Sequence, residues 1–163
     1  MELEEILDDF FAGAVKVVIL GAGSELMTDD KAGLLVVDRL SEIFKNRPNI
    51  KLINGSNAPE NFTGEIKDFA PQCLIVVDAA DMKEKAGSIM VIDPDVIEGV
   101  TFSTHMLPLK VMLGYLKDEI KCRVLILGIQ PVNVDFGNEI SKEVIEAIDE
   151  VNVILKKKLE KFE

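Results

Sequence analysis

Val15-Lys16-Val17-Val18-Ile19-Leu20-Gly21-Ala22-Gly23-Ser24 begins as a β-branched apolar run and ends on two closely spaced glycines. Apolar side chains then recur at Leu34, Leu35, Val37, Leu40, Ile43 and Phe44, the stripe of an amphipathic helix. Strand, tight loop and helix in that order open a βαβ unit. After the Arg47-Pro48-Asn49 break comes a second strand, Ile50 to Ile53, then the turn-rich stretch Asn54 to Pro59 and a short helix over 60–69. Leu74-Ile75-Val76-Val77 is apolar throughout, as in a strand covered on both faces, and Asp78 closes it. Gly87 to Asp93 reads as another strand. Only a charged turn from Asp81 to Lys85 precedes it, well short of the dozen or so residues a parallel crossover requires, so this strand is expected to be antiparallel. A helix over Leu107–Glu119, a buried strand over Arg123–Leu127 and a long helix over Glu139–Leu159 complete the pattern.

The expected fold is a single three-layer α/β/α domain spanning residues 1–163. It holds a five-stranded mixed, mostly parallel sheet with one antiparallel strand. Residues 1–14 add an N-terminal helix, marked by Leu3, Ile6, Leu7, Phe10 and Phe11 and stopped at Gly13. Ligands of such sheets bind beyond the carboxyl ends of the parallel strands.

Charge narrows the partners. Lys and Arg number 18 and Asp and Glu 29, a net charge of −11. A field of that sign repels phosphate backbones and anionic membrane surfaces, so neither nucleic acid nor membrane insertion is expected. The acidic start Met1-Glu2-Leu3-Glu4-Glu5 lacks the positive charge of a signal peptide, and no apolar run approaches the ~18 residues of a membrane span. A cytoplasmic protein is the expectation. Cys73 and Cys122 stand far apart inside apolar runs, without the spacing of a zinc or redox motif, and read as buried structural thiols. Lys156-Lys157-Lys158 reads as a solvated face where positive charge suits a helix C-terminus.

Gly21-x-Gly23 after a strand invites a dinucleotide reading, and the fingerprint then fails: its third glycine would fall at Leu26, and Asn54-Gly55 stands where an acidic residue should hold a ribose hydroxyl. Asp29 and Asp30, Asp78, and His105, the only histidine, collect at the expected carboxyl edge. Two carboxylates and an imidazole suit a divalent borderline metal with open positions. Each residue also has a structural account. Asp29 and Asp30 favour a helix N-terminus, Asp78 caps the turn after its strand, and His105 sits satisfied in a loop; spacing alone does not choose.

Gly23-Ser24-Glu25-Leu26-Met27-Thr28-Asp29-Asp30-Lys31-Ala32-Gly33 resembles the GNxxxxDDGxG segment of the endopeptidases that mature [NiFe] hydrogenases. Ser56 to Asn61, Leu74 to Met82, Ile92-Asp93-Pro94, Ser103 to Leu109 and Leu127-Gly128-Ile129-Gln130-Pro131 are similar, in order, to the hydrogenase-3 branch of that family. The resemblance runs from about Val15 to the last helix. It implies removal of a C-terminal extension from the precursor of a hydrogenase large subunit. The metal-contacting trio of the family maps onto Asp30, Asp78 and His105. It also implies that nickel arrives bound to precursor cysteines and serves in recognition, with no tightly bound resident metal, and that the free protein is a monomer. Catalysis is assigned to the same trio, Asp30, Asp78 and His105, with the other arrangement being a trio that only recognises the metal while hydrolysis falls to other groups. A non-hydrolytic nickel-checking or precursor-binding protein of this fold is the alternative, prompted by Ser24 in place of Asn and Lys31 in place of Gly. Gln130 and Pro131 are expected to shape the peptide groove.

Overall fold

A computed structural model of the chain describes residues 2–95, 99–102, 106–137 and 139–162. Five helices, α1 (Leu3–Phe11), α2 (Ala32–Ile43), α3 (Thr63–Phe69), α4 (Met106–Ile120) and α5 (Lys142–Leu159), surround strands β1 (Val17–Gly21), β2 (Ile50–Asn54), β3 (Cys73–Asp81), β4 (Ile89–Ile92), β5 (Thr101–Phe102) and β6 (Arg123–Ile129). The sheet order is β2-β1-β3-β6-β4, with β5 paired to β3 outside that path. β2, β1, β3 and β6 are parallel, and β4 runs antiparallel to β6, as the short Asp81–Lys85 connection requires.

Side-chain alternation along the strands divides the core. Val17, Ile19, Ile75, Val77 and Leu127 face α1, α2 and α5, whereas Val18, Leu20, Leu74, Val76 and Ile126 face α3 and α4. Three layers result, with helices on both sheet faces.

The structure corrects several sequence expectations. The sheet has six strands, not five: β5 adds an antiparallel pair, Ala80 with Phe102 and Asp81 with Thr101. Two residues carry no periodicity that a sequence reading can detect. Asp78 does not end its strand. β3 continues to Asp81 because β6 and then β5 supply partners beyond Val77. β1 begins at Val17 because the backbone N–H groups of Val15 and Lys16 donate instead to Gln72 Oε1. α5 starts at Lys142 rather than at 139, with Ser141 as its N-cap residue.

Lys158 is only 4% exposed, against the solvated face expected of its triplet. It falls seven residues after Val151 and three after Leu155, on the buried stripe of α5. Its Nζ lies 2.7 Å from Asp8 Oδ1, tying α1 to α5, while Leu7 and Phe11 of α1 enter the same core cluster as Leu155 and Leu159. Both cysteines are buried free thiols; burial pushes Cys122 up to about 12 and raises Cys73, so neither offers a thiolate at neutral pH.

Candidate active site

The site grows from the carboxyl end of β1. Gly21 is in register with Val77 of β3, and the Ala22 N–H donates to the Val77 carbonyl at 2.9 Å. The chain then doubles back so closely that two glycines become obligatory. A Cβ on Gly33 would collide with the Val77 and Ala22 carbonyl oxygens, and one on Gly23, whose φ is +154°, would collide with the Asp30 carbonyl oxygen. Gly23 and Gly33 therefore let the first turn of α2 lie against the sheet, a structural use in keeping with the failure of the dinucleotide fingerprint at Gly21-x-Gly23. This contact brings the 3₁₀ turn Asp29–Lys31 beside β3, where Asp78 occupies the position after Val77.

The two adjacent aspartates have opposite environments. Asp29 is fully buried, and its carboxylate accepts four hydrogen bonds, each 2.8 Å: from the N–H groups of Val132, Asn133 and Ser141 and from the Ser141 hydroxyl. Desolvation opposes its ionisation, but these donors outweigh the cost and hold Asp29 below the usual carboxylate range. It lies at the N-terminus of α5, not serving its own helix, where a negative charge is favoured. The sequence account of Asp29 had the right physics and the wrong helix.

Asp30 is partly exposed; its backbone carbonyl accepts from the Ser24 N–H at 3.3 Å, but its carboxylate accepts no hydrogen bond among the described residues. Desolvation raises its pKa above the ordinary value, and the charge of Asp29 adds to the rise. It borders a cleft of about 420 Å³ lined also by Ala79 and Asp81 of β3, Phe102 of β5, and Gln130 and Val134 after β6. A carboxylate held there without donors gains most from an arriving cation or from a proton.

Asp78 is wholly buried on the α4 side of the sheet, opposite Gly128 in register. His105 lies outside the described residues; α4 begins immediately after it in sequence. Among the described residues, no group of three His, Cys, Asp or Glu side chains forms a metal-binding cluster. Asp30 and Asp78 thus come from adjoining segments at one edge of the sheet, and the third member of the expected trio lies beyond the description.

Gln130 lines this cleft beside Pro131. Its Oε1 accepts from the Met82 N–H at 2.8 Å and its Nε2 donates to Asp81 Oδ1 at 3.1 Å, which helps hold Asp81 below the ordinary carboxylate range. Neither departure from the family motif turns a side-chain hydrogen bond onto Asp30 among the described residues. Lys31 Nζ donates to the Gly137 carbonyl at 2.8 Å, and Ser24 Oγ accepts from the Leu26 N–H at 3.3 Å, a local turn bond of the sort an Asn side chain also makes.

Residues 132–137 are the part of the site that sequence reasoning missed. Thr28 N–H donates to the Asp135 carbonyl at 2.9 Å and Gly137 N–H to the Leu26 carbonyl at 3.2 Å, so this segment pairs antiparallel with the first loop. The signal was present in the alternation Val132-x-Val134-x-Phe136, too short to stand out beside Pro131.

The hydrogenase maturation protease family, HycI, matches residues 34–157. The hydrogenase 3 maturation protease of Escherichia coli K12 is 36% identical over 135 residues, covering 82% of this chain and 85% of that protein. Among solved structures, the [NiFe] hydrogenase maturation protease HycI from Thermococcus kodakarensis superposes with a TM-score of 0.86 at 30% identity, covering 95% of this chain and 99% of that one. The solution structure of the endopeptidase HycI from Escherichia coli gives a TM-score of 0.76 at 35% identity over 90% and 92% of the two chains.

Proposed function

Because the chain belongs to the hydrogenase maturation protease family, whose match spans most of its length, we propose that it removes a C-terminal extension from a nickel-loaded [NiFe] hydrogenase large-subunit precursor. Nickel in the substrate serves as the recognition element, met by Asp30, Asp78 and His105. The protein acts in the cytoplasm and is a monomer when free. Asp30 carries this reading: a carboxylate without donors among the described residues, partly withdrawn from water at the rim of a cleft, is suited to an incoming cation.

Carboxylate oxygens and a neutral imidazole are acceptable ligands for Ni(II), and two negative charges compensate the cation. The soft ligands come from the precursor, since Cys73 and Cys122 are buried. Hydrolysis requires water to attack the scissile carbonyl carbon, its proton to pass to a base, and a proton to reach the departing amine nitrogen. Either Asp30 or Asp78, both at this end of the sheet, would accept the first proton. Serine or cysteine catalysis is disfavoured, as the one histidine is already assigned and both thiols are buried.

A precursor-binding protein without hydrolysis is the rival, and Lys31, which prompted it, directs its ammonium to Gly137. Purified protein incubated with nickel-loaded and nickel-free precursor, followed by intact-mass measurement, separates the readings. Release of a C-terminal peptide from the loaded form alone supports the protease. Binding without release supports the rival, and cleavage of both forms alike removes nickel from recognition.

A further inference from the structure

The segment after β6 has a feature that cleavage does not require. Met27 and Phe136 form an antiparallel bridge flanked by the Thr28–Asp135 and Gly137–Leu26 hydrogen bonds. In a pair of that kind the two central residues direct their own N–H and C=O groups away from each other. Phe136 therefore presents its backbone outward, and neither Phe136 nor Val134 has another backbone partner among the described residues. Side chains repeat the pattern: Val132, Val134 and Phe136 are 53%, 49% and 75% exposed. This is the open outer side of a single β-bridge, and it carries alternate apolar side chains. Proteins usually shield such an edge with lysine, proline or a covering element.

The segment is also tied to the first loop by several hydrogen bonds. Asp29 grips Val132 and Asn133, Thr28 Oγ1 donates to the carbonyls of Asn133 and Asp135, and Lys31 holds the Gly137 carbonyl. Val132 and Val134 line the same cleft as Asp30, so the edge runs directly into the proposed reaction site.

We propose that the outward edge of residues 132–136 adds an extended, apolar-rich stretch of the substrate polypeptide as a further strand and feeds it into the Asp30 cleft. Unpaired backbone groups select an extended chain, and alternating side chains select apolar residues at every second position. Continuity with the cleft distinguishes the substrate chain from an unrelated partner. The inference rests on the reading that the substrate is a polypeptide cut at Asp30.

Hydrogen–deuterium exchange of the full chain, alone and with nickel-loaded large-subunit precursor, tests it, together with steady-state cleavage by Val134→Pro and Phe136→Ser. Precursor should slow exchange at the Val134 and Phe136 amides at least tenfold. Val134→Pro, which removes one outward N–H, should raise KM about tenfold or more with the effect on KM rather than kcat; Phe136→Ser, at an exposed position that folding tolerates, should raise it several-fold. Wild-type cleavage with no protection of these amides and an unchanged KM in Phe136→Ser would overturn the edge while leaving the protease reading intact. Protection without any cleavage supports the edge and overturns the protease reading. Protection in the free protein that increases with its own concentration would assign the edge to a second copy and overturn the proposal.

Discussion

Asp29 and Ser141 are joined twice: the backbone N–H and the hydroxyl of Ser141 each donate to the Asp29 carboxylate at 2.8 Å. One acceptor thereby fastens the loop after β1 to the start of α5, 112 residues later. The same carboxylate holds Val132 and Asn133, so the proposed substrate edge and the Asp30 loop share a single anchor.

Replacing Asp29 with Asn should destabilise the fold by about 3 kcal/mol, since hydrogen bonds to a charged group contribute roughly 1.5–3 kcal/mol and an amide would turn donors toward donors. Urea denaturation measures the loss. Asp29 is held below its ordinary pKa, so its stabilisation is complete above the unfolded value, about 3.9 for aspartate, and vanishes as pH falls through the folded value. Wild type should therefore lose stability below about pH 4 more steeply than Asp29→Asn.

Asp30→Asn should behave in the opposite way. Its carboxylate pKa is raised by desolvation and by Asp29, so ionisation of Asp30 weakens the fold, and its stability penalty grows as pH rises through the folded value. The variant should melt at an equal or higher temperature than wild type at pH 7. Cleavage of the precursor should fall by a hundredfold or more, since even outer-shell changes at metal sites cost about 10–100-fold. Parallel thermal melts and single-turnover cleavage check both halves.

Gly33→Ala reverses a usual rule. Alanine in a helix interior ordinarily gains about 1 kcal/mol over glycine. Here the added methyl meets the Val77 and Ala22 carbonyl oxygens, both backbone atoms that cannot rotate away. A loss of about 3 kcal/mol is expected from overpacking, read as a lower urea midpoint at unchanged slope.

Asp8→Ala should lower the urea midpoint more than Lys158→Met does. Removing Asp8 leaves the buried ammonium of Lys158 with Glu4, at 3.9 Å, as its one carboxylate partner among the described residues, whereas methionine fills the same space without charge. Equal midpoints for the two variants would show that the ion pair does not hold α1.

Most of the architecture was legible because it rests on periodicity. The β-branched runs, the stripe from Leu34 to Phe44 and the short link ahead of Ile89 dictate a mostly parallel sheet with one reversed strand, and the structure has that sheet. Elements fixed by distant partners were not legible. β5 exists because β3 extends to Asp81, and the start of α5 is set by Asp29, over a hundred residues away. At the site, the residue pattern alone could mark Asp29 and Asp30 as neighbours but could not separate them; only the family resemblance singled out Asp30. Burial and four donors make Asp29 a structural anchor, while the Asp30 carboxylate borders the cleft and has no donor among the described residues.

The central claim is that Asp30, Asp78 and His105 meet nickel carried by the substrate and that cleavage depends on this contact. Intact-mass measurement of nickel-loaded precursor after incubation with wild type and with His105→Ala tests it most directly, with circular dichroism confirming that both are folded. Wild type should release the C-terminal peptide, and His105→Ala should leave the precursor at full mass. Normal processing by folded His105→Ala, or equal processing of nickel-free precursor by wild type, would contradict the account.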